Sequence, residues 1–178
     1  CLGFGYIMLQ ICMIQKFTLL LGQPVFTLLT VVSTMLVASG IGSFYSKKLF
    51  TNKKTVFIVI ALYAIALGLL NPILFKAFAS YDLVIRIIIS VILIFPLGFF
   101  MGMPFPTGLG LINNEQKKFI PLAWGVNGFF SVIGTVCAMI LAMTIGFKFV
   151  FILSGIIYLL AMVLISKKFN KEQELKTI

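Results

Sequence analysis

Six polar side chains stand inside or beside long apolar runs: Gln10, Gln15, Lys16, Gln23, Asn127 and Ser131. Their chemistry is hydrogen bonding and, at Lys16, a positive charge. Acid–base, nucleophilic and metal chemistry have little to work with. The chain has no histidine, only four acids, and three cysteines, Cys1, Cys12 and Cys137, that form no CxxC pair or disulfide framework. Such a set argues against a transition-metal site. No P-loop, GxSxG, HExxH or paired carboxylates occur. The glycines of "GIG" (Gly40–Gly42) and "GLGLIN" (Gly108–Asn113) lack the strand–turn–helix setting of a nucleotide site. No catalytic constellation and no cofactor are therefore expected in this chain.

The elements that position these residues are set by composition. Of 178 residues, 61% are hydrophobic and 10% charged, against roughly 25% charged in a soluble domain. Mean hydropathy is +1.18. Apolar runs of spanning length occur at Leu2–Leu21, Pro24–Tyr45, Thr55–Phe75, Leu83–Met103, Phe119–Thr144 and Phe147–Ile165. Each approximates the roughly 20 residues that a helix needs to cross hydrocarbon. No β-barrel alternation appears. The expected fold is all-α, a polytopic bundle of about six transmembrane helices over residues 1–166. Residues 167–178 form a cytoplasmic polar tail, and the lipid bilayer is the principal partner. The chain opens at Cys1 in an apolar run with no signal-peptide features. This suggests a fragment whose N-terminal part lies upstream and is itself a partner.

The net charge is +10, and ten of the 14 basic residues fall in "KKLFTNKK" (Lys47–Lys54), "NNEQKK" (Asn113–Lys118) and "KKFNKEQELK" (Lys167–Lys176). A six-helix count puts all three on one side, which the positive-inside rule assigns to the cytoplasm together with both termini. Lysines grouped between apolar segments, with no interleaved aromatic face, argue against a nucleic-acid partner.

Small residues and prolines suggest how the helices meet. At 100° per residue, Asn127, Ser131, Gly134, Ala138 and Ala142 share a stripe about 80° wide. Such a stripe permits close helix packing or lines a solute pathway; both readings stand. Gly98 and Gly102 make a GxxxG, and Ala38 with Gly42 repeats the spacing. Pro96, Pro104 and Pro106 should kink the fourth segment or break it around Met103–Gly108, since proline removes a backbone donor and clashes with the preceding turn. Gln10 falls near the middle of the first segment. It is expected to point inward to a partner on another helix, Asn127 or Ser131 in this chain or a residue of a missing N-terminal part, because an unpaired amide in hydrocarbon costs several kcal/mol. Gln15, Lys16 and Gln23 are expected to gather near the outer mouth, with Lys16 snorkelling.

Two groups of residues carry a resemblance. "GFGYIMLQICMIQKFTLLLGQPVFTLLTVVSTMLVASGIGS" resembles the membrane region following the catalytic domain of bacterial multi-pass spermidine synthase-like proteins. "FPLGFFMGMPFPTGL" and "PLAWGVNGFFSVIGTVCAMILAMTIGF" resemble that family's later helices. The resemblance implies a helical inner-membrane domain C-terminal to a Rossmann-like aminopropyltransferase domain, which it anchors and serves in polyamine chemistry. It carries no catalytic residue onto this chain. The family usually has Glu at the position of Gln10 and often His at that of Gln23, so it carries no proton-linked role onto either amide. Six helices with cytoplasmic ends and a basic loop after the second also resemble one half of a major facilitator superfamily transporter. A purely structural anchor is the third reading.

Overall fold

The computed structural model describes residues 1–46, 53–110 and 118–176, and side chains as far as Ser166. The described residues form α1 (Leu2–Leu21), α2 (Pro24–Tyr45), α3 (Lys53–Phe78), α4 (Leu83–Met101), α5 (Pro104–Leu109), α6 (Ile120–Thr144) and α7 (Phe147–Lys176). With α4 and α5 counted as one span, six stretches are long and apolar enough to cross a membrane. Residues 47–52 and 111–117, which hold most of two basic loops, lie outside the described residues, as do the tail's side chains.

Local chemistry sets the ends. Gly22 takes φ 78°, and its N–H donates 2.9 Å to the Thr18 carbonyl, closing α1 in a left-handed turn that glycine adopts at no steric cost. Pro24 then occupies the first turn of α2, where its missing N–H is not needed. Gly146, spaced by four from the small residues of α6, does not join their packing. At φ 89° it makes the turn into α7.

The prolines of the fourth segment act unequally. Pro96 lies inside α4 without ending it. The break comes at Gly102–Met103, before Pro104 and Pro106. Neither proline has an N–H to give the carbonyls four residues earlier, Phe100 and Gly102. The Met103 N–H donates to the Phe100 carbonyl instead, at 3.2 Å. The backbone of α7 runs on to Lys176, so a single helix carries the sequence from the sixth span into the expected tail.

The bundle is built on three extensive pairs, α2 with α4, α3 with α7 and α1 with α6. Small residues make each pair possible. A Cβ on Gly42 would strike the Phe99 carbonyl, one on Gly102 would strike the Ser39 carbonyl, and one on Gly98 would lie 3.0 Å from the Ala38 methyl. In α3·α7, a Cβ on Gly68 would sit 2.8 Å from that of Phe151. In α1·α6, a Cβ on Gly134 would sit 2.6 Å from the Ile7 side chain. Without a hydrophobic drive between helices in lipid, such close approach is what holds them.

α1 is central, touching α2, α3, α4, α6 and α7. Met8, Leu9, Cys12, Met13 and Phe17 on it are fully buried. The pairing has an internal regularity. Exchanging α1 with α4, α2 with α6 and α3 with α7 carries the α2·α4 pair onto α6·α1 and leaves α3·α7 unchanged. The regularity is confined to these three main pairs: α1 also packs along α2, whereas α4 and α6, which the exchange would put together, make no comparable contact. Outward faces are apolar, with Leu36, Phe44, Phe129, Val132 and Met143 among the exposed side chains.

Candidate functional site: a polar cavity at the α4–α5 break

The α6 stripe faces α1. Gly134, Ala138 and Ala142 are buried in that contact, and Asn127 and Ser131 continue it towards the N-terminal end of α1. There the facing residue is Gly3. A Cβ on Gly3 would lie 2.6 Å from Ser131 Oγ and 2.8 Å from Asn127 Oδ1, and would strike the Asn127 carbonyl. Glycine at this position therefore lets two polar side chains reach the surface of α1. Ser131 Oγ–H donates 2.9 Å to the Asn127 carbonyl, and Thr135 Oγ1–H donates 3.1 Å to that of Ser131.

Gly3, Asn127 and Ser131 line a cavity of about 80 Å³ with Leu2, Tyr6, Met101, Pro104, Phe105 and Tyr158. Tyr158, from α7, is 2% exposed, and the edge of its ring lies 3.2 Å from where a Gly5 Cβ would be. The Tyr6 hydroxyl meets Ser39 of α2. The broken segment supplies one wall of the cavity through Met101, Pro104 and Phe105. Phe105 leaves the wall edge-on against Trp124 of α6, with ring centroids 4.7 Å apart. Leu2 and Phe105 also border a wider, mainly apolar cavity of about 360 Å³ formed with Gly108, Leu109, Ala123, Ala161, Leu164 and Ile165. A small polar chamber thus adjoins an apolar vestibule in the size range of small-molecule pockets.

The cavity offers hydroxyl and amide donors and acceptors and aromatic faces, with no charged side chain among the described residues that line it. It suits hydrogen bonding to, and orientation of, a polar group. Among the described residues no group of three His, Cys, Asp or Glu could hold a metal.

Asn127 and Ser131 are the sequence candidates brought together here. Gln10 does not join them. They sit against Gly3, and Gln10 is seven residues further along α1, about 10 Å at 1.5 Å per residue. It is half-buried. The expected Gln10 pairing fails because the reasoning matched polar residues by type without the register that Gly3 sets. The outer cluster does not form either. Gln15 is exposed, with Nε2 3.9 Å from Met139 Sδ of α6. The Lys16 ammonium lies 5.2 Å from the Phe147 ring centroid at the start of α7. Gln23 is exposed at the α2 N-cap and makes no side-chain cap bond. Successive residues on a helix face different neighbours, so adjacency in sequence separated these three.

Sequence reasoning missed Tyr6 and Tyr158. Their signal was a hydroxyl-bearing ring within an apolar helix, which needs a partner or a wet cavity when buried. It also missed Asn71, 1% exposed with both amide ends unpartnered beside Pro72, and Arg86. Fold and site together define a polytopic α-helical bundle of membrane-spanning character with a polar chamber at one end. No family model, no curated protein and no solved structure matches the chain.

Proposed function

We propose that this chain is the integral-membrane domain of a bacterial spermidine synthase-like fusion protein. It anchors an upstream Rossmann-like catalytic domain in the inner membrane and serves it through the polar cavity. One observation carries the reading. The two strings most specific to the resemblance, "MGMPFP" (Met101–Pro106) and "WGVNGFFSVIG" (Trp124–Gly134), lie on different helices yet supply walls of the same chamber. Strings that only faced lipid would have no need to meet at a polar cavity. The cavity sits at the N-terminal end of α1, the end that the basic regions assign to the cytoplasm, where a soluble domain would work. In this role Asn127, Ser131, Tyr6 and Tyr158 orient a polar group, and the adjoining apolar vestibule holds its hydrocarbon portion. The chemistry itself belongs to the catalytic domain.

A second reading, half of a major facilitator-like transporter for a small solute, draws support from the reciprocal arrangement of the three main helix pairs. Inverted three-helix repeats are how such halves are built. The gene upstream of the Cys1 codon separates the two. A domain-sized soluble stretch with a βαβ pattern and glycine-rich loop is expected. Six further apolar spans without it would favour the transporter half, and neither would leave only a structural anchor.

A further inference from the structure

At the end of the bundle opposite the cavity, α1 finishes at Leu21, α2 begins at Pro24 and α4 begins at Leu83. Arg86, in the first turn of α4, is half-buried and reaches across to α1. Its Nη1–H donates 2.7 Å to the Leu20 carbonyl, a group left without a helical donor at the end of α1. Nε is buried without a hydrogen-bond partner. A guanidinium keeps its charge at all ordinary pH and presents five N–H donors.

The sequence offers this end little counter-charge. Of the four acids, Glu115 belongs to the connection between α5 and α6. Glu172 and Glu174 lie about 37 Å along α7 from its start, at 1.5 Å per residue. Asp82 stands at the N-cap position of α4, makes no side-chain cap bond and is exposed, while the Arg86 guanidinium donates to the Leu20 carbonyl. A half-buried cation at a helix end with unused donors calls for an anion. The surroundings specify its kind. Leu19, Val25, Phe26, Val84 and Ile85, on the three helix ends that meet here, are all exposed and apolar.

We propose that Arg86 is the headgroup anchor of a bound phospholipid, its guanidinium taking the phosphate and the exposed apolar side chains of α1, α2 and α4 taking the acyl chains. Guanidinium and phosphate match as parallel N–H···O pairs. A free phosphate would gain nothing from the apolar surround. The lipid would clamp α1 to α4 through the residue that already joins them. This requires only that the helices cross a bilayer, and is independent of the catalytic partner.

The test uses the whole chain, delipidated in detergent and examined by native mass spectrometry and thermal unfolding. Dioleoylphosphatidylglycerol, dioleoylglycerol and inorganic phosphate are the probes. One phosphatidylglycerol adduct and a raised Tm are expected, with neither from dioleoylglycerol or phosphate. Arg86→Gln should bind about tenfold more weakly, or about 1.4 kcal/mol. Arg86→Lys should fall between, and Lys148→Gln, which removes an exposed cation, should match the wild type. If Arg86→Gln does not fold, Val25→Asn serves instead and should weaken the adduct with Arg86 intact. Equal binding by Arg86→Gln, or by Val25→Asn where it stands in, overturns the proposal. So do equal binding of dioleoylglycerol, equal stabilisation by inorganic phosphate, and the absence of any adduct.

Discussion

At the scale of single residues, the glycines carry more of the structure than the polar side chains do. Gly134 has the Phe4 carbonyl and the Ile7 side chain where a Cβ would go. Gly134→Leu should therefore force α1 and α6 apart, at a cost of about 1–3 kcal/mol or more. Ile140→Phe, at a position 56% exposed on the same helix, should change little. Thermal unfolding of the two variants in one detergent checks this, and equal Tm values would contradict the α1·α6 contact. Gln10 gives the opposite expectation. It is half-buried and away from Asn127 and Ser131, so Gln10→Leu should leave stability unchanged or raise it, because an unpaired amide is removed from an apolar setting. A large fall in Tm would mean that the amide has a partner. The difference between these residues marks what was legible in the sequence. Small residues at a spacing of four reveal a packing face by themselves. A lone amide reveals only that it wants a partner, and which one depends on helix register.

At the scale of elements, six apolar runs were readable because length and hydropathy suffice, and four of the six reappear as helices with both ends within two residues. The small-residue stripe of α6 was also readable, down to the buried Gly134, Ala138 and Ala142. The proline-rich end of the fourth segment was readable as a break but not as a wall. Nothing local says that Pro104 and Phe105 turn towards Asn127, since that contact runs between distant parts of the chain. Tyr6 and Tyr158 were hidden for the same reason. The break itself is testable. Replacing both Pro104 and Pro106 by Ala restores the two missing N–H groups, so α4 and α5 should merge. Amide hydrogen exchange at Met103 and Phe105 should then slow by about tenfold or more, as expected for groups drawn into a continuous helix. Unchanged exchange would mean that packing at Phe105 and Trp124, rather than proline chemistry, makes the break.

At the scale of the whole molecule, five helices pack around the central α1, leaving a polar chamber at one end of the bundle and a cationic helix junction at the other. Everything proposed for the chamber depends on its opening towards the side occupied by the basic loops. Cysteine accessibility measures that directly. In a chain with Cys1, Cys12 and Cys137 replaced by Ala, Ser131→Cys reports on the chamber and Ser80→Cys, in the turn between α3 and α4, on the opposite end. A membrane-impermeant maleimide should label Ser131→Cys in inside-out vesicles and not in intact cells, and Ser80→Cys the other way round. Labelling of both variants from the same side would contradict the six-span arrangement, and labelling of Ser131→Cys only from outside would contradict a chamber that serves a cytoplasmic domain.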